Sequence, residues 1–235
     1  MTIDERVEAL PWPELERSLW ERGYAWSPGF LSDSECAGVA ALYGDAAAFR
    51  SRVEMARHRF GEGEYKYFAS PLPALVAGLR RALYPPLARV ANRWAEALAV
   101  PERFPATLDG LLERCREAGQ TRPTPLVLRY AEGGYNCLHQ DVYGDVTFPL
   151  QALMPLSRPG VDFTGGEFLL VEQRPRAQSA AEVLTPARGD LVLFTTRTRP
   201  ARGARGFHRV NVRHGLSRVR SGERYALGVI FHDAR

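Results

Sequence analysis

The sequence predicts a mainly β core behind a helical flank, and three observations lead there. From Pro125 onward, short β-rich runs alternate with Gly/Pro turns. These runs are LVLRYA, YNCLHQDV, FPLQALMPL, GEFLLVEQ, GDLVLFTT, FHRVNVRHGLSRV and RYALGVIFHD. About seven or eight strands in roughly 110 residues suit a small all-β sandwich or barrel. Gly133-Gly134, Pro159-Gly160 and Gly165-Gly166 mark turns between them. Before Pro125 the apolar spacing is largely helical. The expected organisation is therefore an N-terminal flank over residues 1–124, with one hairpin, packed on a β core over residues 125–235.

Taken in order, Pro11 to Arg22 has a helix-favouring proline at its start and Leu15 and Leu19 at i, i+4. Gly23 ends it, and Tyr24 to Trp26 forms a short strand. Ser27-Pro28-Gly29 turns the chain. Ser32 to Glu35 has capping-box spacing for a second helix, with Phe30 and Leu31 placed to staple it. Phe49 to Ala69 predicts a hairpin turning at Gly61-Glu62-Gly63. It is rich in cations and aromatics, among them Arg57, His58, Arg59, Phe60, Tyr65, Lys66 and Tyr67. Pro71 to Val100 is mostly helical, with a break or kink expected at Pro85-Pro86. Phe104 to Gly119 is another short helix.

Composition narrows the class. The chain has 235 residues, 45% of them hydrophobic, enough for an ordinary core. No apolar run approaches the ~20 residues of a membrane span. The N-terminus lacks an apolar signal-peptide core, which points to the cytoplasm. Cys36, Cys115 and Cys137 lack metal-site spacing and fit free thiols in a reducing compartment. Cys137 is expected as a small core residue. The net charge of +4 is carried almost wholly by arginine, since Lys66 is the only lysine. That balance permits a phosphate-bearing partner. Arg197, Arg199, Arg202, Arg205, Arg209 and Arg213 are expected in a solvated loop, with polyanion binding as the sharper reading.

The chemistry concentrates in LRYAEGGYNCLHQDVYGD, Leu128 to Asp145. His139 and Asp141 are two apart, so on a strand they share a face. A second histidine would complete a 2-His-1-carboxylate site with open coordination positions. His208 and His214 both qualify by strand parity. Arg224, ten residues after His214, favours His214. A dicarboxylate co-substrate on the metal needs a cation for its far end, and arginine offers a bidentate fork. Ala226 and Gly228 follow on the face of Arg224 and leave room inside a barrel. Glu167 more plausibly opens a strand than replaces Asp141, and His58 and His232 fit structural or exposed positions.

These segments resemble the Fe(II)/2-oxoglutarate dioxygenases. RYAEGGYNCLHQD is similar to the first metal-binding strand of that superfamily, especially of its AlkB-type demethylases. HGLSRVRSGERY resembles the distal histidine and co-substrate cation of the prolyl-hydroxylase branch. From GFLSDSEC to IFHDAR, the chain resembles a bacterial oxygenase family associated with damaged nucleic acid. The resemblance implies a double-stranded β-helix (jelly roll) with N-terminal helices. It implies Fe(II) on His139, Asp141 and His214, and 2-oxoglutarate on Arg224 with Tyr130 hydrogen-bonded to it. O2 would be the second co-substrate, and single-stranded or damaged nucleic acid the partner. Leu128, Ala226 and Ile230 depart from the AlkB pattern, in which asparagine, a serine or threonine, and a second arginine are usual there. The alternatives are a prolyl-type protein hydroxylase and, from another class, a cupin-like metal-binding module without turnover.

Overall fold

The computed structural model describes residues 1–142, 144–174, 176–204 and 206–235. Helix α1 (Ile3–Glu8), not anticipated from the pattern, starts on a capping box between Thr2 and Glu5. Helix α2 (Trp12–Arg22) ends at Gly23 in the left-handed conformation and leads into β1 (Tyr24–Ser27). Helix α3 (Asp33–Ala41) begins on the Ser32–Glu35 capping box, and Phe30 and Leu31 are buried before it, as expected. Arg6 of α1 reaches Glu35 of α3, with Nη1 to Oε2 at 2.8 Å and Nη2 to Oε1 at 2.5 Å.

The expected hairpin is present as β2 (Phe49–Glu54) paired antiparallel with an outgoing strand, but its tip does more than turn. Residues Met55–His58 form a 3-10 turn, and β3 (Gly61–Glu62) crosses to the opposite sheet before β4 (Glu64–Phe68) returns. At Gly61 φ is 132°, and a Cβ there would lie 2.3 Å from the Tyr135 carbonyl oxygen. Only glycine allows that approach.

Helix α4 (Ala74–Ala97) runs on through Pro85 and Pro86, where a break or kink was expected. The two prolines cannot bond the carbonyls four residues back, those of Arg81 and Ala82. Arg81 is exposed and Ala82 half-buried, so water can satisfy them. The opposite face, with Leu79, Leu83, Leu87, Val90 and Trp94, is buried and holds the helix together. Helix α5 (Leu108–Glu117) follows, capped by Thr107.

The remaining strands are β5 (Leu126–Tyr130), β6 (Tyr135–His139), β7 (Leu150–Pro155), β8 (Phe163–Gly165), β9 (Phe168–Gln173), β10 (Ala180–Leu184), β11 (Leu191–Thr195), β12 (Thr198–Gly203), β13 (Gly206–Leu216), β14 (Val219–Gly222) and β15 (Arg224–Val229). The seven anticipated runs supply β5, β6, β7, β9, β11, β13 and β15. The larger sheet has the order β1-β11-β7-β15-β5-β4-β2 and the smaller β10-β9-β13-β6-β3, with β12 on β13. This is the jelly-roll arrangement. Strands β1 to β4 come from before Pro125, so flank and core share hydrogen-bonded strands.

Side-chain alternation assigns the faces. Leu191, Leu193, Met154, Leu227 and Val229 of the larger sheet pack with α2, α3 and α4 in the main core. Val192, Phe194, Leu153 and Ala226 point the other way and meet Phe168, Leu170 and Val212 of the smaller sheet. Functional side chains of this inner face therefore lie between the sheets. The arginine-rich segment, expected as a solvated loop, is instead the β12–β13 hairpin. Its Arg199 is buried, donating from Nε to Glu172 at 2.7 Å. Arg205, part of the same expectation, lies outside the described residues. Cys36 and Cys115 are buried, but Cys137 is exposed, which corrects its expected place in the core. No helix among the described residues is long and apolar enough to cross a membrane.

Candidate metal centre

Strands β6 and β13 are antiparallel neighbours, and their register sets His139 directly opposite His214. Asp141 lies just past the end of β6, not within it. Its carboxylate still reaches both rings, with Oδ1 3.4 Å from His139 Nε2 and Oδ2 3.1 Å from His214 Nε2. One ligating atom from each residue falls within a 4.8 Å cluster. The structure thus brings His139, Asp141 and His214 together. His208 is exposed at the other end of β13, beside Gly203, and Glu167 is bonded to Ser217.

The protonation pattern fits a metal. His139 Nδ1 lies 2.8 Å from the Cys137 carbonyl oxygen and must donate to it, which turns Nε2 towards the cluster. Burial lowers the His139 pKa, but Asp141 outweighs it and raises it, so a metal on Nε2 would take the place of a proton. Burial holds the His214 pKa below its ordinary value, so this imidazole is neutral. Burial opposes ionisation of Asp141, but His214 and His139 outweigh it and hold the carboxyl well below its usual range. Two imidazole nitrogens and one carboxylate oxygen on a rigid face form the donor set of a non-haem Fe(II) site.

Gln151 was not anticipated. It sits on the inner face of β7 and donates its amide to Asp141 Oδ2 at 2.7 Å. Its only signal in the sequence is a glutamine inside the apolar run LQALMP, all six residues of which are buried. Asn136 was also missed. It lies three residues before His139, so strict alternation would send it to the opposite face. A bulge corrects this: between His214 and Leu216 the register of β13 advances two residues while β6 advances three. Asn136 and His139 therefore both line the cavity between the sheets.

That cavity has a volume of about 320 Å³. Arg224 and Tyr130 are cross-strand partners on its wall. Arg224 is only 3% exposed, and no carboxylate or other hydrogen-bond acceptor meets its guanidinium among the described residues. Burial pushes its pKa down to about 10, which leaves it charged at neutral pH. A buried, uncompensated cation is costly, and a ligand carboxylate in the cavity would compensate it. Burial raises the Tyr130 pKa, so its phenol stays neutral. The phenol oxygen accepts from Asn136 Nδ2 at 3.2 Å, leaving its own hydrogen to donate. Arg218, the other candidate cation, donates to the Gly133 carbonyl and lies over the Tyr135 ring. Tyr65, Tyr67, Arg59, Phe60 and Leu138 complete the cavity towards its mouth.

Comparison with known proteins agrees with this geometry. The profile of a family described as an oxygenase catalysing oxidative methylation of damaged DNA matches residues 63–234. An uncharacterized protein of Mycobacterium tuberculosis, found in two strains, is 52% identical over 167 residues. The match covers 71% of this chain and 72% of that protein. A 2OG-Fe(II) oxygenase-family oxidoreductase from Burkholderia pseudomallei superposes with a TM-score of 0.55 at 16% identity, covering 96% of this chain and 94% of that one. A Trichoplax adhaerens prolyl hydroxylase, solved with a hypoxia inducible factor peptide fragment, gives 0.55 at 17%, covering 98% and 92%. A Pseudomonas putida prolyl-4-hydroxylase gives 0.51 at 15%, covering 95% and 99%. At these identities the solved structures are alike in fold.

Proposed function

Because this chain belongs to the family of oxygenases acting on damaged DNA, and is an Fe(II)- and 2-oxoglutarate-dependent dioxygenase, we propose that it demethylates alkylated bases in single-stranded nucleic acid. His139, Asp141 and His214 hold the iron in this reading, and Arg224 and Tyr130 hold 2-oxoglutarate. The observation that carries it is Arg224, a buried guanidinium that meets no carboxylate among the described residues, on the wall of the cavity that also contains the triad. A binding module without turnover has no use for such a group. Bound there, Fe(II) with 2-oxoglutarate and O2 supplies oxidation of C–H to C–OH, the co-substrate leaving as succinate and CO2.

The chain's own groups orient and enclose. Arg224 pairs with the far carboxylate of 2-oxoglutarate through two parallel N–H donors. Tyr130 adds its phenol hydrogen, with the oxygen steadied by Asn136. Gln151 keeps one oxygen of Asp141 engaged, which leaves the other for the metal. Leu128, Leu153, Phe168 and Phe194 line the same cavity and limit water in it. A target base has to leave its stack to reach the triad, and Tyr65, Tyr67 and Phe60 offer aromatic surfaces towards the mouth. When the oxidised carbon is an N-methyl group, it departs as formaldehyde and the ring nitrogen regains a hydrogen. Cytosolic repair of alkylated strands is the matching role, and its reducing environment suits the three free thiols.

The test is formaldehyde release from methylated single-stranded DNA and RNA, run beside a peptide library read by mass spectrometry. Stoichiometric formaldehyde and succinate from an oligonucleotide support the proposal. A 16 Da gain on peptides, with no formaldehyde from any oligonucleotide, overturns it in favour of a protein hydroxylase.

A further inference from the structure

A second cavity, of about 280 Å³, adjoins the first at Asp141, which lines both. Its character differs. The first is walled by aromatic and aliphatic side chains around the triad. The second is lined by the polar side chains of Glu102, Thr147, Arg197, Arg209 and Asn211, and by apolar ones such as Trp94 of α4. Arg209 and Asn211 are on β13 with the parity opposite to Val212 and His214, so they look away from the intersheet core. Arg197 belongs to the turn between β11 and β12. Gln140 fixes that turn against the H-x-D segment, donating to the carbonyls of Arg197 at 3.0 Å and Val212 at 2.9 Å.

The cations of this hairpin divide by role. Arg199 is buried and bound to Glu172. Arg197 and Arg209 are exposed and meet no carboxylate among the described residues. Across the first cavity's mouth stands Arg59, also exposed and without an ion pair among the described residues, beside Phe60. The Phe60 ring is stacked on His58 with centroids 5.3 Å apart and its side chain is 47% exposed. In the smaller sheet β3 and β13 flank β6 on opposite edges, so the aromatic, cationic residues before β3 and the cations of the β12–β13 hairpin lie to either side of the strand that carries His139.

Resting on the nucleic-acid reading above, we propose that the second cavity is a phosphodiester subsite. It receives, on Arg197 and Arg209, the backbone beside the target nucleotide of a single strand that crosses from the Arg59–Phe60 lip. The target base enters the first cavity, and a neighbouring base stacks on Phe60. Recognition is by charge and stacking, so it discriminates strand from free nucleoside more than sequence from sequence.

The experiment uses the full chain loaded with Fe(II) and 2-oxoglutarate, a short methylated single-stranded oligonucleotide and the corresponding methylated nucleoside. Arg197→Ala/Arg209→Ala is compared with Arg17→Ala/Arg81→Ala, which removes equal charge from exposed helix positions. The visible band of the Fe(II)/2-oxoglutarate complex reports that both variants fold and load. The expected result is that the hairpin variant binds the oligonucleotide at least tenfold more weakly at low salt. Its slope of log affinity against log salt should also fall by about 1.4, at roughly 0.7 per phosphate contact on a single strand. Its preference for oligonucleotide over nucleoside in kcat/KM should collapse. Unchanged affinity, slope and preference overturn the subsite while the enzyme still demethylates strands. An equal loss in the helix variant overturns it too, by reducing the effect to net charge. If the wild-type enzyme neither binds nor demethylates any strand, the subsite and the nucleic-acid function fall together.

Discussion

Gln151 and Asp141 join the two sheets at the metal centre: an amide on β7 of the larger sheet donates, across 2.7 Å, to a carboxylate that follows β6 of the smaller. Gln151 Nε2 is also 3.4 Å from His214 Nε2. It is a positioning residue, because it acts on iron only through the groups that ligate it. Partners of this kind typically contribute 10–100-fold to metal affinity. Gln151→Leu should weaken Co(II) or Fe(II) binding within about that range, with the 2-oxoglutarate affinity of the fully loaded enzyme much less changed. Gln151→Glu keeps the shape but replaces the donor with an acceptor, so it should not rescue. Titration of Co(II) by its visible spectrum checks this, and wild-type metal affinity in Gln151→Leu would remove the role.

The two candidate distal histidines are now far apart along β13, and they predict opposite outcomes. His214→Ala removes a buried nitrogen from the cluster and should abolish stoichiometric Fe(II) binding. His208→Ala alters an exposed side chain at the hairpin end and should leave it intact. Anaerobic Fe(II) titration of both variants decides, and the reverse pattern would displace His214 from the site.

What the sequence could show of this centre follows from what is local. His139, Asp141 and the His214–Arg224 spacing lie in two short segments, and strand parity orients them. Gln151 and Asn136 were hidden for different reasons. Gln151 meets Asp141 only because strands of different sheets face each other, which no spacing encodes. Asn136 reaches the cavity through a bulge that breaks alternation. Cys137 shares parity with His139 and lines the same cavity, so the expectation of a small core residue gave too little weight to that parity. Helix α4 was expected to break or kink at Pro85-Pro86; it does not break, because its buried face is a tertiary contribution that local propensity does not see.

A pH dependence of folding follows from the Arg6–Glu35 contact between α1 and α3. Arg6 donates to Glu35 and, with the Ser32 backbone and hydroxyl, lowers the Glu35 pKa to about 2 against partial burial. A carboxyl with a depressed folded-state pKa favours the folded state above its unfolded pKa, near 4.5. That contribution is lost progressively as pH falls from there towards about 2. Glu35→Gln should therefore be less stable than wild type at pH 7, with the gap closing over that acid range. Urea denaturation at successive pH values measures it, and a gap independent of pH would mean that capping geometry, not charge, is what Glu35 supplies.

Arg224 yields the last prediction, in which binding and stability oppose each other. Its guanidinium is buried beside Tyr130 and Phe163, at 6.0 Å and 5.8 Å from the ring centroids, without a carboxylate among the described residues. In the absence of co-substrate this is an uncompensated buried charge, which is destabilising. Arg224→Met fills similar volume without the charge, so the ligand-free variant should melt at a higher temperature than ligand-free wild type. The same change removes the fork that engages the co-substrate carboxylate. Affinity for 2-oxoglutarate should fall at least roughly a hundredfold, since each 1.4 kcal/mol is tenfold. Saturating 2-oxoglutarate should then stabilise the metal-loaded wild type by about 2.7 kcal/mol at a hundred times its Kd, and scarcely stabilise the variant at that concentration. Arg224→Lys keeps a point charge without the fork and should fall between them. Melting curves with and without 2-oxoglutarate, under anaerobic Fe(II), read both effects at once. If Arg224→Met melts lower in every state and binds 2-oxoglutarate as well as wild type does, the guanidinium is a packing element, and the co-substrate cation must be sought elsewhere, first at Arg218.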